Sequence, residues 1–204
     1  MDVTTNLDGL TPAWLTACLS ARYPGIRVAA ARATPLEIGP SYHGNLARVE
    51  LLDVSGATAP ATLVAKLVSG TPAARDLGIG MGIYLREALF YEQLSASVRL
   101  RPPACHGVAY DPETRLSAIL LEDLTHLEVG VQSAGYTVDR ARATVLQLAD
   151  QHAAWWDDAS LAGITWLPIW NQPEMVAFVA SGYAQVWPGC QAAFGDSLDT
   201  ADIA

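Results

Sequence analysis

Basic residues are scarce. Twelve Lys and Arg stand against 21 Asp and Glu in 204 residues, for a formal net charge of −9 at pH 7. That deficit disfavours nucleic acid and anionic membrane surfaces, both of which are gripped through Lys and Arg. Charge of either sign is modest at 16%, whereas 51% of residues are hydrophobic, so a buried core is expected and disorder is not. Cysteine is limited to Cys18, Cys105 and Cys190, far apart and odd in number. They read as free thiols of a reducing compartment, not as a disulfide framework. Cys105-His106 has no companion at metal-ligand spacing. No apolar run approaches the ~20 residues of a spanning helix. Met1-Asp2-Val3-Thr4-Thr5-Asn6 has neither the basic nor the apolar part of a secretory signal. Internal repeats and low-complexity tracts are absent from the sequence. A cytoplasmic protein without membrane or nucleic-acid partners is the expectation.

What is present is a succession of strand and helix patterns. Thr11-Pro12 opens a short helix with apolar Leu15, Cys18 and Leu19, and Tyr23-Pro24-Gly25 ends it. Strands are expected over 26–38, 45–54, 62–68, 104–110 and 115–121. Gly39-Pro40-Ser41-Tyr42-His43-Gly44-Asn45 is a glycine-containing turn between the first two. Its two readings are an ordinary hairpin and a loop presenting backbone N–H groups to phosphate. Gly78-Ile79-Gly80-Met81-Gly82 lacks the βαβ context of a dinucleotide site and reads as a mobile lead-in to the next helix. Thr137 caps a helix whose stripe runs Val138, Ala141, Val145, Leu148, Ala149, His152, Trp155 and Trp156. His152 on that stripe reads as a buried core histidine. Pro173 starts a last helix that Pro188-Gly189 is expected to close.

The most informative stretch is the third strand and the helix after it. Side chains alternate along a strand, so Lys66 in Thr62-Leu63-Val64-Ala65-Lys66-Leu67-Val68 shares a face with Val64 and Val68. In the helix from Ile83 to Leu94, Glu87 falls inside the apolar stripe of Ile83, Phe90, Tyr91 and Leu94. A carboxylate there needs a cation, since stripping one partner from a buried pair costs roughly 3–5 kcal/mol. Lys66 is the candidate. In the competing reading, Lys66 snorkels at a sheet edge and Glu87 reaches solvent.

The order of these parts resembles the kinase-like fold. It is closest to the aminoglycoside phosphotransferase and choline kinase group, with its ecdysteroid-kinase-like members. The segments that carry the resemblance are the Gly39–Asn45 loop, Leu63-Val64-Ala65-Lys66, Tyr84-Leu85-Arg86-Glu87-Ala88-Leu89-Phe90-Tyr91, Leu120-Leu121-Glu122-Asp123-Leu124 and Leu148-Ala149-Asp150-Gln151-His152-Ala153-Ala154-Trp155-Trp156, spanning 39–156. It implies an α+β, protein-kinase-like architecture: a five-stranded antiparallel N-lobe sheet with one packed helix, then an incomplete helical C-lobe. The implied domains are a nucleotide-binding lobe at 1–121, a hinge and connecting loop at 122–136, and a partial helical lobe at 137–204. Lys66 would hold the α- and β-phosphates of ATP, and Glu87 would hold Lys66. Ser41, Tyr42, His43, Gly44 and Asn45 would cover the phosphates. The backbone of Glu122, Asp123 and Leu124 would meet the adenine edge between Val49, Ala65 and Leu121.

Two departures qualify the resemblance. The loop has only two glycines and contains Pro40, and Gly130-Val131-Gln132 stands where the family often has an aspartate after glycine. Beyond them, phosphoryl transfer needs a base for the acceptor hydroxyl and carboxylates for Mg²⁺. The family supplies these from a His-x-Asp…Asn loop and a later Asp. His152 is the last histidine, and neither motif occurs from Trp156 to Ala204. The expectation is therefore a phosphotransferase-family chain with ATP as its nucleotide, Mg²⁺ ligands missing, and a small-molecule hydroxyl as the lineage's acceptor. This chain would have little or no turnover. The alternative is a non-catalytic nucleotide-binding or protein-interaction module, with self-association through Trp166, Trp170 and Trp187 of the unfinished lobe.

Overall fold

The computed structural model describes residues 2–36, 44–128, 130, 134–167 and 171–195. The chain is α+β, with five antiparallel strands: β1 (Arg27–Pro35), β2 (Gly44–Ser55), β3 (Thr62–Val68), β4 (Cys105–Asp111) and β5 (Leu116–Glu122). Their order across the sheet is β1-β2-β3-β5-β4. Strand alternation gives the sheet two different faces. On one, Val49, Leu63, Ala65, Leu67, Ala118 and Leu120 pack with Leu15, Cys18 and Leu19 of helix α1 (Pro12–Leu19). This helix starts as its sequence suggests. The Thr11 side chain accepts from the Trp14 N–H at 3.2 Å, and Pro12 occupies a first-turn position. On the other face, Ala88 packs with Ile119 and Leu121, with Tyr91, Cys105 and Val108 around them.

Three local expectations are corrected. Residues 72–80 form a helix, α2 (Pro72–Gly80), where the glycine run suggests a mobile lead-in. Pro72 pre-sets its first turn, and Gly78 takes its place against a ring: a Cβ there would stand 2.7 Å from the Tyr84 ring. Gly82, at φ +65, then turns the chain in the left-handed region into α3 (Ile83–Leu89). Past Leu89 the helix widens into a π turn over Phe90–Leu94, with Ser95 N–H donating to Phe90 C=O at 2.8 Å. The buried side of α3 is Tyr84, Ala88 and Leu89, so Glu87 borders the apolar face instead of sitting within it.

The chain divides into two compact units, Met1–Leu161 and Ala162–Ala204. The first includes α4 (Val138–Trp155), capped by Thr137, which accepts from Arg140 N–H at 3.3 Å. Its apolar stripe is not buried: Val138, Val145, Leu148 and His152 are exposed, and Gln151 is the buried residue. His152 is therefore not a core histidine. Gln151 goes inward because its Oε1 accepts from Arg99 N–H at 2.6 Å, in the segment after the π turn. The second unit contains α5 (Pro173–Phe194), which runs through Pro188 instead of stopping there. A proline deletes one backbone hydrogen bond, and the flanking turns carry the helix past it. Val176, Val179, Tyr183 and Val186 of α5 are all more than half exposed. Among the described residues, no helix is long and apolar enough to cross a membrane.

Candidate functional site

β3 holds Lys66 on the α3 face, together with Val64 and Val68, and its register aligns Leu46 of β2 and Ile119 of β5 on either side. The Lys66 Nζ lies 2.7 Å from Glu87 Oε1. The side chains remain 36% and 24% exposed, so this is a rimmed pair and not a desolvated one. Its own contribution to stability belongs with partly exposed pairs, about 1 kcal/mol or less. A lysine so held is a fixed positive charge at an open face.

The acid is held in turn by the way α3 is seated. Tyr84 anchors the helix at both ends of its residue: its hydroxyl oxygen accepts from Ser69 N–H at 3.2 Å, just past β3, and its carbonyl accepts from the Ser117 hydroxyl at 2.9 Å in β5. One turn beyond Glu87, burial and then the Glu87 charge push the Tyr91 phenol up to about 12, so it stays a neutral neighbour. Beside the lysine, β2 begins at Gly44. A Cβ there would meet the Leu67 carbonyl at 2.9 Å and the Lys66 Cε at 3.7 Å, so glycine lets the start of this strand pass close to the lysine stem.

The remaining expected site residues divide. Gly44 is buried beside Lys66, and Asn45 is exposed next to it. Ser41, Tyr42 and His43 lie outside the described residues, as do Gly39 and Pro40. Leu121 shares the Lys66 face, because it pairs with Val64. Val49 and Ala65 do not. Both are 0% exposed on the α1 face, one residue out of phase with Lys66, so neither can wall a slot beside it. The positions on the correct face are Val64 and its β2 partner Arg48.

At the end of β5 the acids are engaged, not solvated. Glu122 accepts from Ala104 N–H at 3.1 Å and from Arg101 at 2.7 Å, which hold its carboxyl below the usual carboxylate range. Asp123, its side chain only 7% exposed, accepts from Arg48 Nε at 2.8 Å, from the Thr125 N–H at 3.0 Å and from the Thr125 hydroxyl at 2.6 Å. Burial alone would raise the Asp123 pKa. Thr125, then Arg48 and the Thr62 hydroxyl, outweigh burial and hold the carboxyl well below its ordinary value. Glu122 N–H donates to Ala104 C=O, and Leu124 C=O accepts from Leu127 N–H, so these two backbone groups are already used.

Arg48 is the site residue that the motifs pass over. The signal was available in the alternation Ala47-Arg48-Val49-Glu50-Leu51, which sends Arg48 and Glu50 to the face opposite Val49. Among the described residues no three His, Cys, Asp or Glu side chains are placed to hold a metal ion, and Asp123 is saturated by its own donors. Comparison of the sequence with models of known protein families and with curated proteins finds no match.

Proposed function

We propose that the sheet and α3 form a nucleoside-triphosphate site of the phosphotransferase kind, similar to the aminoglycoside phosphotransferase and choline kinase group. One observation carries the reading: a lysine on the third strand of a five-stranded antiparallel sheet is paired at 2.7 Å with a glutamate on α3, the second helix after that strand. This is the lysine–glutamate arrangement that kinases use to hold the α- and β-phosphates. Gly44 beside the lysine stem agrees with a phosphate-covering strand start, and Lys66, Leu46 and Arg48 on that face are partly exposed. Within Glu122 to Leu124, backbone groups other than the bonded Glu122 N–H and Leu124 C=O would meet the base. ATP is the proposed ligand and a small-molecule hydroxyl the lineage's acceptor. Among the described residues no group of three His, Cys, Asp or Glu side chains is placed to hold a metal ion, and binding without turnover is the proposed outcome.

Calorimetric titration with ATP tests the reading. Wild type should bind, and Lys66→Met should lose most of that affinity. Equal binding by both, or none by wild type, contradicts it. Incubation with MgATP and aminoglycoside, choline and macrolide acceptors should give no product above background.

A second reading, association of the chain with a copy of itself, is favoured by the exposed stripe Val176, Val179, Tyr183 and Val186 on α5. Light scattering behind size exclusion decides it: a dimer that Val179→Glu dissociates supports it, and a monomer at every concentration removes it.

A further inference from the structure

The Asp123 carboxylate ties β2 to the segment after β5. It receives Arg48 from β2 and both the N–H and the hydroxyl of Thr125 from that segment. The Thr125 contacts close a turn around Leu124 and so set the direction of its peptide groups. Arg48 is steadied from its other side, where its NH1 meets Glu50 at 3.2 Å, and Glu50 is paired with Arg32. Register places Arg48, Glu50 and Arg32 on one face. Arg48 is opposite Val64 and Glu50 is opposite Arg32, and Val64 shares the side of Lys66. One end of the open face therefore has Lys66–Glu87, and the other a charged ladder ending at the segment proposed to read the base.

We infer that Arg48 and Asp123 are positioning residues for the nucleobase, holding the backbone of residues 122–125 in the orientation that recognises it. The inference rests on the nucleotide reading above and adds a division of labour to it. Lys66 and Glu87 serve the phosphates, and Arg48 and Asp123 serve the base. Neither Arg48 nor Asp123 touches the reacting end. Arg48 fits the task because one planar guanidinium donates to Asp123 through Nε and to Glu50 through NH1, a fork that lysine cannot reproduce.

The experiment is calorimetric titration of the 204-residue chain with ATP, adenosine and inorganic tripolyphosphate, for wild type, Arg48→Met, Arg48→Lys, Asp123→Asn and Lys66→Met. Arg48→Met should weaken ATP and adenosine by a similar factor, about tenfold, the scale of one charge-assisted hydrogen bond, and leave tripolyphosphate unchanged. Asp123→Asn should act in the same direction, and Arg48→Lys should restore only part of the loss. Lys66→Met should weaken ATP and tripolyphosphate while sparing adenosine. A merely structural role would instead move all three ligands together, or none, and either result overturns the inference. Should Arg48→Met fail to fold, the Arg48→Lys and Asp123→Asn titrations decide. Failure of wild type to bind ATP or adenosine removes the nucleotide reading and this inference with it. Wild-type affinity in the Arg48 and Asp123 variants removes the inference alone.

Discussion

Single side chains set the electrostatics of the open face, and pH should reveal one of them. The folded Asp123 carboxyl titrates below the ordinary value of about 3.9 that it would have in the unfolded chain. Its contribution is therefore complete above about pH 4 and is lost as pH falls through the folded value. Urea midpoints measured from neutral pH downward should show wild type more stable than Asp123→Asn near pH 6, with the difference shrinking below about pH 4. A constant difference would mean that the carboxylate is not specially held. Tyr84 offers a second test. Removing its hydroxyl in Tyr84→Phe strands the buried Ser69 N–H, which should cost roughly 1–3 kcal/mol by denaturant titration. The thiols give a third. Burial pushes Cys18 up to about 12 and Cys105 up to about 11, so roughly one Cys105 in a thousand is thiolate at pH 8. Both should react slowly with a disulfide reagent in the native state and rapidly in urea.

At the scale of elements, contact geometry decides which substitutions α2, α3 and β2 tolerate. Gly78→Val puts atoms into the Tyr84 ring and should destabilise by about 1–3 kcal/mol, because α3 is seated through that ring. The same seating explains what the sequence could and could not reveal. Strand identity was readable from period two and the face of Lys66 from its phase against Val64 and Val68, whereas Glu87 borders the apolar face of α3 instead of sitting in the stripe that its spacing suggests. α2 was not, because a helix carrying Gly78 and Gly80 has poor intrinsic propensity and forms where Tyr84 needs a surface without a Cβ. Val49 and Ala65 were misassigned by one residue of phase, which on a strand means the opposite face. The pairing of Asp123 with Arg48 was not readable, since the two lie 75 positions apart, a separation that local pattern does not register. The α4 stripe is a different case. Its periodicity is real, but amphipathicity reports that a face needs cover and not that this chain supplies it.

Across the whole molecule, every described residue proposed to touch nucleotide lies in the unit Met1–Leu161. Changes confined to α5, such as Phe178→Ser or Val186→Ser, should therefore leave ATP affinity unchanged by calorimetry. A loss of affinity would mean that the second unit contributes to the site. Acidity at this scale bears on the ligand too. A chain of net charge −9 that binds a polyanion must do so through a local positive group. Lys66 is the group proposed for that role, so binding should weaken steeply when it is neutralised. The most direct measurement is a two-dimensional ¹⁵N NMR titration with ATP. The account predicts shift changes concentrated at Gly44, Lys66, Glu87 and residues 122–125, with those at Gly44 and Glu87 lost in Lys66→Met. Changes confined to the α1 face around Leu15, Val49 and Ala65, or a spectrum that ATP leaves untouched, would contradict it.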